Sequence, residues 1–140
     1  EASMKRFVKN FPRLPESVRS RLTLENDDKG SMYSVKDLYY GIYKKIGIPI
    51  VFDYHHHQFC TGGMSEQEAL EMALSTWGDI KPVTHYSESR RDEQEDKTIR
   101  VQAHSDYVYD KIEMYGNDFD IMVEAKAKEL AVDRYLKIHS

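Results

Sequence analysis

Four short apolar runs in this chain carry an acid or an imidazole at or near their ends. Residues 21–25 finish on Glu25, 48–53 on Asp53 and 119–124 on Glu124, and His85 stands next to the last residue of 82–86. One acid after a strand is commonly a turn or cap residue. Four runs out of four point instead to a shared site of oxygen and imidazole ligands, a mixture that suits zinc, manganese or iron. Asp53-Tyr-His-His-His57 strengthens the case, with one carboxylate and three imidazoles in five residues. Cys60 follows closely but is the only cysteine, which excludes a structural zinc site of the finger type. His104 and Asp106 form a second polar pair that fits either a helix cap or a site. Glu124 and Lys126 place an acid beside a cation, which suits phosphate chemistry, with the lysine offsetting charge on the leaving group. Closely spaced metals clamp the attacking and leaving oxygens in phosphodiester hydrolysis. Sugar isomerases use the same ligand types, so these residues alone leave the reaction open. His139, isolated near the end, reads as a surface histidine.

Each apolar run is five or six residues long and rich in β-branched or aromatic residues, the pattern of a buried strand. Helical spacing fills the intervals. Residues 34–46 open on Ser34 with Asp37 three places on, and close at Gly47. Residues 65–77 open on Ser65-Glu-Gln-Glu68, a capping box. Residues 105–115 carry Val108, Ile112 and Tyr115 on one helical face, and 126–137 carry Ala127, Leu130, Ala131 and Tyr135. Residues 4–20 predict a partial helix broken by Pro12 and Pro15. The charged stretch 87–97 reads as a solvated loop. Strand–helix alternation of this kind implies a parallel sheet with right-handed crossovers. Functional residues then collect at the carboxyl ends of the strands, where the βα loops open.

Composition narrows the classes. The 140 residues make one domain-sized unit and carry a net charge of −4, which excludes a broadly basic nucleic-acid binder but not a local basic patch. A lone cysteine allows no internal disulfide and predicts a reducing interior. No apolar run is long enough to span a membrane, and neither end reads as a signal peptide.

Five motifs now stand in order: Leu22-Thr-Leu-Glu-Asn-Asp27, Phe52-Asp-Tyr-His-His56, His85-Tyr-Ser-Glu88, His104-Ser-Asp106 and Met122-Val-Glu-Ala-Lys126. Together they closely resemble the UV damage endonuclease family of DNA repair enzymes, over about residues 20–130. The resemblance implies a TIM (β/α)8 barrel related to endonuclease IV, a divalent metal cluster at its carboxyl face, and incision of DNA immediately 5′ to a UV photoproduct. Manganese is the implied metal, with zinc or magnesium as alternatives. Carried over motif by motif, the family's metal ligands fall on Glu25, Asp53, His56, His85, His104 and Glu124. Catalytic roles fall on Glu25, Asp53, Glu124 and Lys126, the lysine lying behind the ligands. His55 and His57 only flank a matched ligand. Some relatives carry a modified lysine two residues before the third-strand histidine. Val83 occupies that position here, and Lys81, of the same strand parity, lies further back.

The spacing of Glu25, Asp53, His85 and Glu124 is 28, 32 and 39 residues, so four βα units fill the chain. A complete barrel takes ~250 residues. The fold expected is therefore α/β: the C-terminal half, about four βα units, of a TIM barrel, with residues 1–140 as a single unit. The function expected is that of a metal-dependent DNA repair endonuclease, a hydrolase acting on UV-damaged double-stranded DNA, whose 140-residue portion is inactive alone. A metal-dependent sugar isomerase or epimerase is the alternative enzyme, and an inactive metal-binding scaffold the alternative from another class. The resemblance leaves the DNA-binding residues unassigned. It implies an intracellular protein, cytoplasmic in a bacterium or nuclear in a eukaryote. Exposed half-barrel edges predict a homodimer.

Overall fold

The computed structural model describes all 140 residues. Helix α1 (Ala2–Asn10) runs into a 3₁₀ turn at Phe11–Arg13, and Pro15 caps the short α2 (Glu16–Arg19). The prolines thus divide the amino-terminal helix, as expected, because proline cannot donate inside a helix but fits its first turn.

Four strands follow: β1 (Leu24–Glu25), β2 (Ile50–Asp53), β3 (Val83–Tyr86) and β4 (Asp120–Val123). All pair in parallel, and their order in the sheet is their order in the chain, β1-β2-β3-β4. That order is the one four successive units of a βα barrel have. The strands are shorter than the apolar runs that foretold them.

Between β1 and β2, helix α3 (Val35–Leu38) starts at a complete Ser34/Asp37 capping box. It continues through a π turn (Tyr39–Tyr43) into α4 (Lys44–Ile46), which Gly47 ends at φ 74°. Asp53 caps a single turn, α5 (Tyr54–His57). Ser65 and Glu68 form the second capping box, opening α6 (Glu66–Leu74), and a 3₁₀ turn at Ser75–Trp77 follows. That turn pins the start of β2: Thr76 Oγ1 accepts from Ile50 N at 2.8 Å, and Trp77 Nε1 donates to Ile50 O at 2.8 Å. Helix α7 (Arg90–Glu93) follows β3, and α8 (Glu129–His139) ends the chain.

The register divides the sheet into two faces. Leu24 pairs with Ile50, Phe52 with Thr84, and Tyr86 with Val123, all on the helix-covered side. Ile50, Phe52, Ala69, Leu70 and Ala73 are fully buried there and join Val35, Leu38 and Ile42 in the core. Each large side chain of this kind contributes ~1.5–3 kcal/mol by leaving water. On the other face Glu25 pairs with Val51, Asp53 with His85, and His85 with Met122. Alternation then puts Glu25, Asp53, His85 and Glu124 on one side. Met122, on this side, is 57% exposed.

Three expectations are corrected. Residues 105–115 form no helix. Val108 and Ile112 are buried, as their spacing suggested, but the local amides bond to side chains instead of to carbonyls four residues back. Glu93 accepts from Asp106 N and Tyr107 N, and Glu88 from Tyr109 N and Asp110 N. For the same reason 87–97 is not a solvated loop: it contains α7, buries Ser87 and Ser89, and bridges Ser89 to His104. The last helix begins three residues later than expected, because Lys126 N and Ala127 N donate to Ser105 O and Asp106 O.

Candidate metal centre

At the end of β2 the chain turns straight into α5. Asp53 is fully buried and accepts the His56 amide through Oδ1 at 2.9 Å. This N-cap geometry brings the third residue of the turn back over the carboxylate. His56 Nε2 lies 3.7 Å from Asp53 Oδ2, and its Nδ1 lies 3.6 Å from Glu25 Oε1. Of the three consecutive histidines His56 lies beside Glu25 and Asp53, while the His55 ring stands edge-on to His104, 6.2 Å away. His55 packs edge-on against Phe59, and His57 against Phe52; both are buried, and burial pushes both imidazoles down toward the neutral form.

Across the sheet, His85 Nδ1 lies 3.0 Å from Glu25 Oε1 and 3.5 Å from Glu124 Oε1. His104 Nε2 lies 3.6 Å from Glu124 Oε2. His104 comes from outside the sheet, on the lobe after β3. The Ser89–His104 bridge and the Arg90 N to Ala103 O bond of 2.7 Å hold it in place. Glu25, Asp53, His56, His85, His104 and Glu124 therefore form one continuous cluster. Ligand atoms of Glu25, Asp53 and His56 converge within 4.8 Å, as do those of Asp53, His85 and Glu124, so Asp53 belongs to both sets.

The electrostatics suit a bound cation. Burial, and then the hydrogen bond and charge of Glu25 beside it, push Asp53 up to about 7. Burial also works to raise Glu25, but His85, Asp53 and the charge of His56 hold it below the usual carboxylate range. The Glu25 hydrogen bond raises His85 above the ordinary imidazole range, with burial opposing. Asp53 Oδ2 is buried with no hydrogen-bond partner. A buried carboxylate oxygen of that kind normally has a donor or a metal. Carboxylate and imidazole together are the donor set of a divalent transition-metal site, so the residues fit the metal that the motifs imply.

Lys126 stays apart: its side chain is exposed, and only its backbone amide is engaged, by Ser105 O. Lys81 is drawn away to Asp120 at 3.1 Å and Asp118 at 3.6 Å, at the far end of β3. Val83 keeps the side of the sheet that His85 faces, offering no ligand atom there. The largest cleft, about 600 Å³ and lined by Tyr54, His55, Tyr86, Glu88, Glu93 and Tyr109 among others, contains none of the six clustered residues.

Sequence reasoning missed Asn26. It is 1% exposed and bonds to the Asp53 backbone from both ends of its side-chain amide, and its main-chain carbonyl oxygen lies 2.8 Å from His56 Nδ1. Its position directly after Glu25 was the available signal.

Comparison with known proteins bears on this geometry. Residues 1–139 match the family described as UV-endonuclease UvdE. A UV DNA damage endonuclease of Bacillus cereus (strain G9842) is 33% identical over 97% of this chain and 43% of its own length. The UV-damage endonuclease of Schizosaccharomyces pombe is 39% identical over 93% of this chain and 22% of its own. The crystal structure of SacUVDE superposes with a TM-score of 0.80 at 31% identity, over 97% of this chain and 45% of that one. The chain thus spans less than half the length of these relatives. With the parallel strand order and the polar strand ends, these likenesses show that the chain belongs to the UV-endonuclease UvdE family.

Proposed function

We propose that the protein carrying this chain is a divalent-metal endonuclease that cuts DNA at UV lesions. The observation that carries the reading is the convergence of three carboxylates and three imidazoles on one sheet face. Unaided, such a face repels a phosphodiester, since like charges a few ångströms apart in a partly buried site interact strongly. Glu25, Asp53, His56, His85, His104 and Glu124 would hold divalent ions there, which would reverse that sign and supply Lewis-acid activation of a water and of the scissile phosphate. Manganese is the metal proposed. The chain's own residues fix the ligand atoms in advance: β1, β2 and β3 hold three of them in register, and the lobe after β3 delivers His104. Lys126, exposed two residues past Glu124, is free to meet a DNA phosphate. Family membership favours this reading over a sugar isomerase on the same kind of barrel.

The ligand-bearing face is open, with Met122 57% exposed, whereas parallel sheets are covered on both sides. The remainder of the protein is proposed to cover it and to complete the ligand set, leaving the 140 residues alone inactive.

The test is incision of duplex DNA bearing a single UV photoproduct by the full-length protein, after chelation and again after manganese is restored. Cutting 5′ to the lesion that depends on the metal and is largely lost in Glu124→Gln is the expected result. Undamaged and damaged duplex cut equally, or ketose turnover instead of nicking, would overturn it.

A further inference from the structure

The last β1–β2 pair is Glu25 with Val51. Beyond it the sheet bonding continues through a side chain. Asn26 Nδ2 donates to Asp53 O at 3.0 Å, and Asn26 Oδ1 accepts from Asp53 N at 2.8 Å. A neighbouring strand would make the same two bonds with its backbone; here one amide makes both, inside the protein, where unpaired groups are costly. The backbone of Asp53 is therefore held without β1 having to extend past Glu25.

The third contact concerns His56. Its Nδ1 is 2.8 Å from the main-chain carbonyl oxygen of Asn26. A carbonyl only accepts, so Nδ1 carries a proton in this contact and, in the neutral ring, Nε2 keeps its lone pair. Nε2 is the atom that faces Asp53 Oδ2, at 3.7 Å. Asn26 thus touches two of the clustered residues and is bonded in the chain to a third, Glu25, yet carries no atom positioned as a ligand itself.

We propose that Asn26 is the positioning residue of the metal centre: its side-chain amide fixes the backbone of Asp53, and that same anchored residue's main-chain carbonyl fixes the tautomer and direction of His56. This rests on the metal-centre reading above. Such partners behind a ligand typically carry ~10–100-fold in metal affinity. A residue that merely stitched β1 to β2 would affect stability and leave both the metal and the imidazole unchanged.

The experiment uses the full-length protein. Nitrogen-resolved NMR of the metal-free wild type reads the neutral His56 ring, above its titration; the Nδ1–H tautomer is the expected state, and the Nε2–H tautomer with a bare Nδ1 overturns the proposal without any variant being needed. Calorimetric titration with manganese then compares wild type, Asn26→Ala, which removes the side-chain amide and keeps the main-chain carbonyl, and Thr76→Val. Thr76→Val removes the buried bond to Ile50 N at the opposite end of β2 and serves as the destabilised control. Affinity should fall ~10–100-fold in Asn26→Ala and stay within about twofold in Thr76→Val. Equal losses in the two variants, or none in Asn26→Ala, overturn the proposal. A wild type that takes up no manganese sinks the metal-centre reading instead, and the His56 tautomer then decides by itself whether Asn26 holds the ring.

Discussion

Glu25, Asp53 and His56 rest on backbone that strand pairing and one buried amide hold in place. His104, which completes the other side of the cluster beside Glu124, hangs from a lobe with almost no regular structure. The backbone of the first group is held by buried bonds: Asp53 is fully buried, Asn26 is 1% exposed, and the Asn26 amide satisfies both main-chain polar groups of Asp53. The second is fixed by charge. Glu88 and Glu93 each receive two or more backbone amides from residues 106–110, and Arg90 pairs with Asp106 at 2.7 Å. The residues of one cluster are thus supported in two ways, by packing on one side and by charge-assisted hydrogen bonds on the other. Perturbations that act on burial and on charge should separate them.

The largest effect is expected at Asp53, which both ligand sets share. Asp53→Asn should cut incision by about two to three orders of magnitude, the scale for losing a group that organises transition-state charge. Metal-free thermal stability should hold or rise, because a buried carboxylate crowded by Glu25 is removed. Calorimetry in chelator and a nicking assay would check the opposite signs.

Acid comes next. Asp53 takes up a proton near about 7, so metal affinity should fall as the pH drops below that value. Glu93 behaves in the other direction. Burial works to raise it, but the amides of Asp106 and Tyr107, with Gln94 and Tyr109, hold it down at about 2. Its folded value lies below its unfolded one, so its contribution is complete above the ordinary glutamate range and is lost only as the pH falls toward about 2. At pH ~5 manganese should be gone while the lobe stays closed. Metal titration and amide exchange at one pH would test this, and a lobe that opens together with metal loss would erase the distinction between the two regions.

Removing the staple directly is a smaller perturbation. Glu93→Ala should speed amide exchange at Asp106 and Tyr107 by about tenfold, as expected for loss of a charged acceptor, and leave Asn26 and His56 unaffected. Smallest of all is Lys126→Ala. Metal affinity should not change, while the salt dependence of DNA binding should weaken by about one phosphate contact, measured by filter binding across a salt series.

Much of this was legible in the residues. The four strands were visible because each is a short apolar run, and the strand-end ligands because a parallel sheet brings its carboxyl ends together. Both capping boxes, at Ser34 and Ser65, were visible because that motif is local. Residues 105–115 were misread because burial of Val108 and Ile112 has the same spacing in a helix as in a loop stapled from elsewhere, and the staples, Glu88 and Glu93, lie up to 22 positions away. Asn26 was overlooked for a related reason: its importance lies in the partner 27 positions on, which no local pattern reports.

The strand order has a consequence for the rate at which the site assembles. Because β1, β2, β3 and β4 are neighbours in chain order, each unit can dock on its predecessor by closing a loop of modest length, and loop-closure entropy rises only slowly with length. The cluster is the exception. Glu25 and Glu124 meet only through His85, so the ligand set is complete only once β4 is in place. Contacts formed that late lie on the unfolding side of the barrier. Bound manganese should therefore slow unfolding of the protein markedly while leaving its folding rate almost unchanged, so that the metal acts as a kinetic latch on a structure already built.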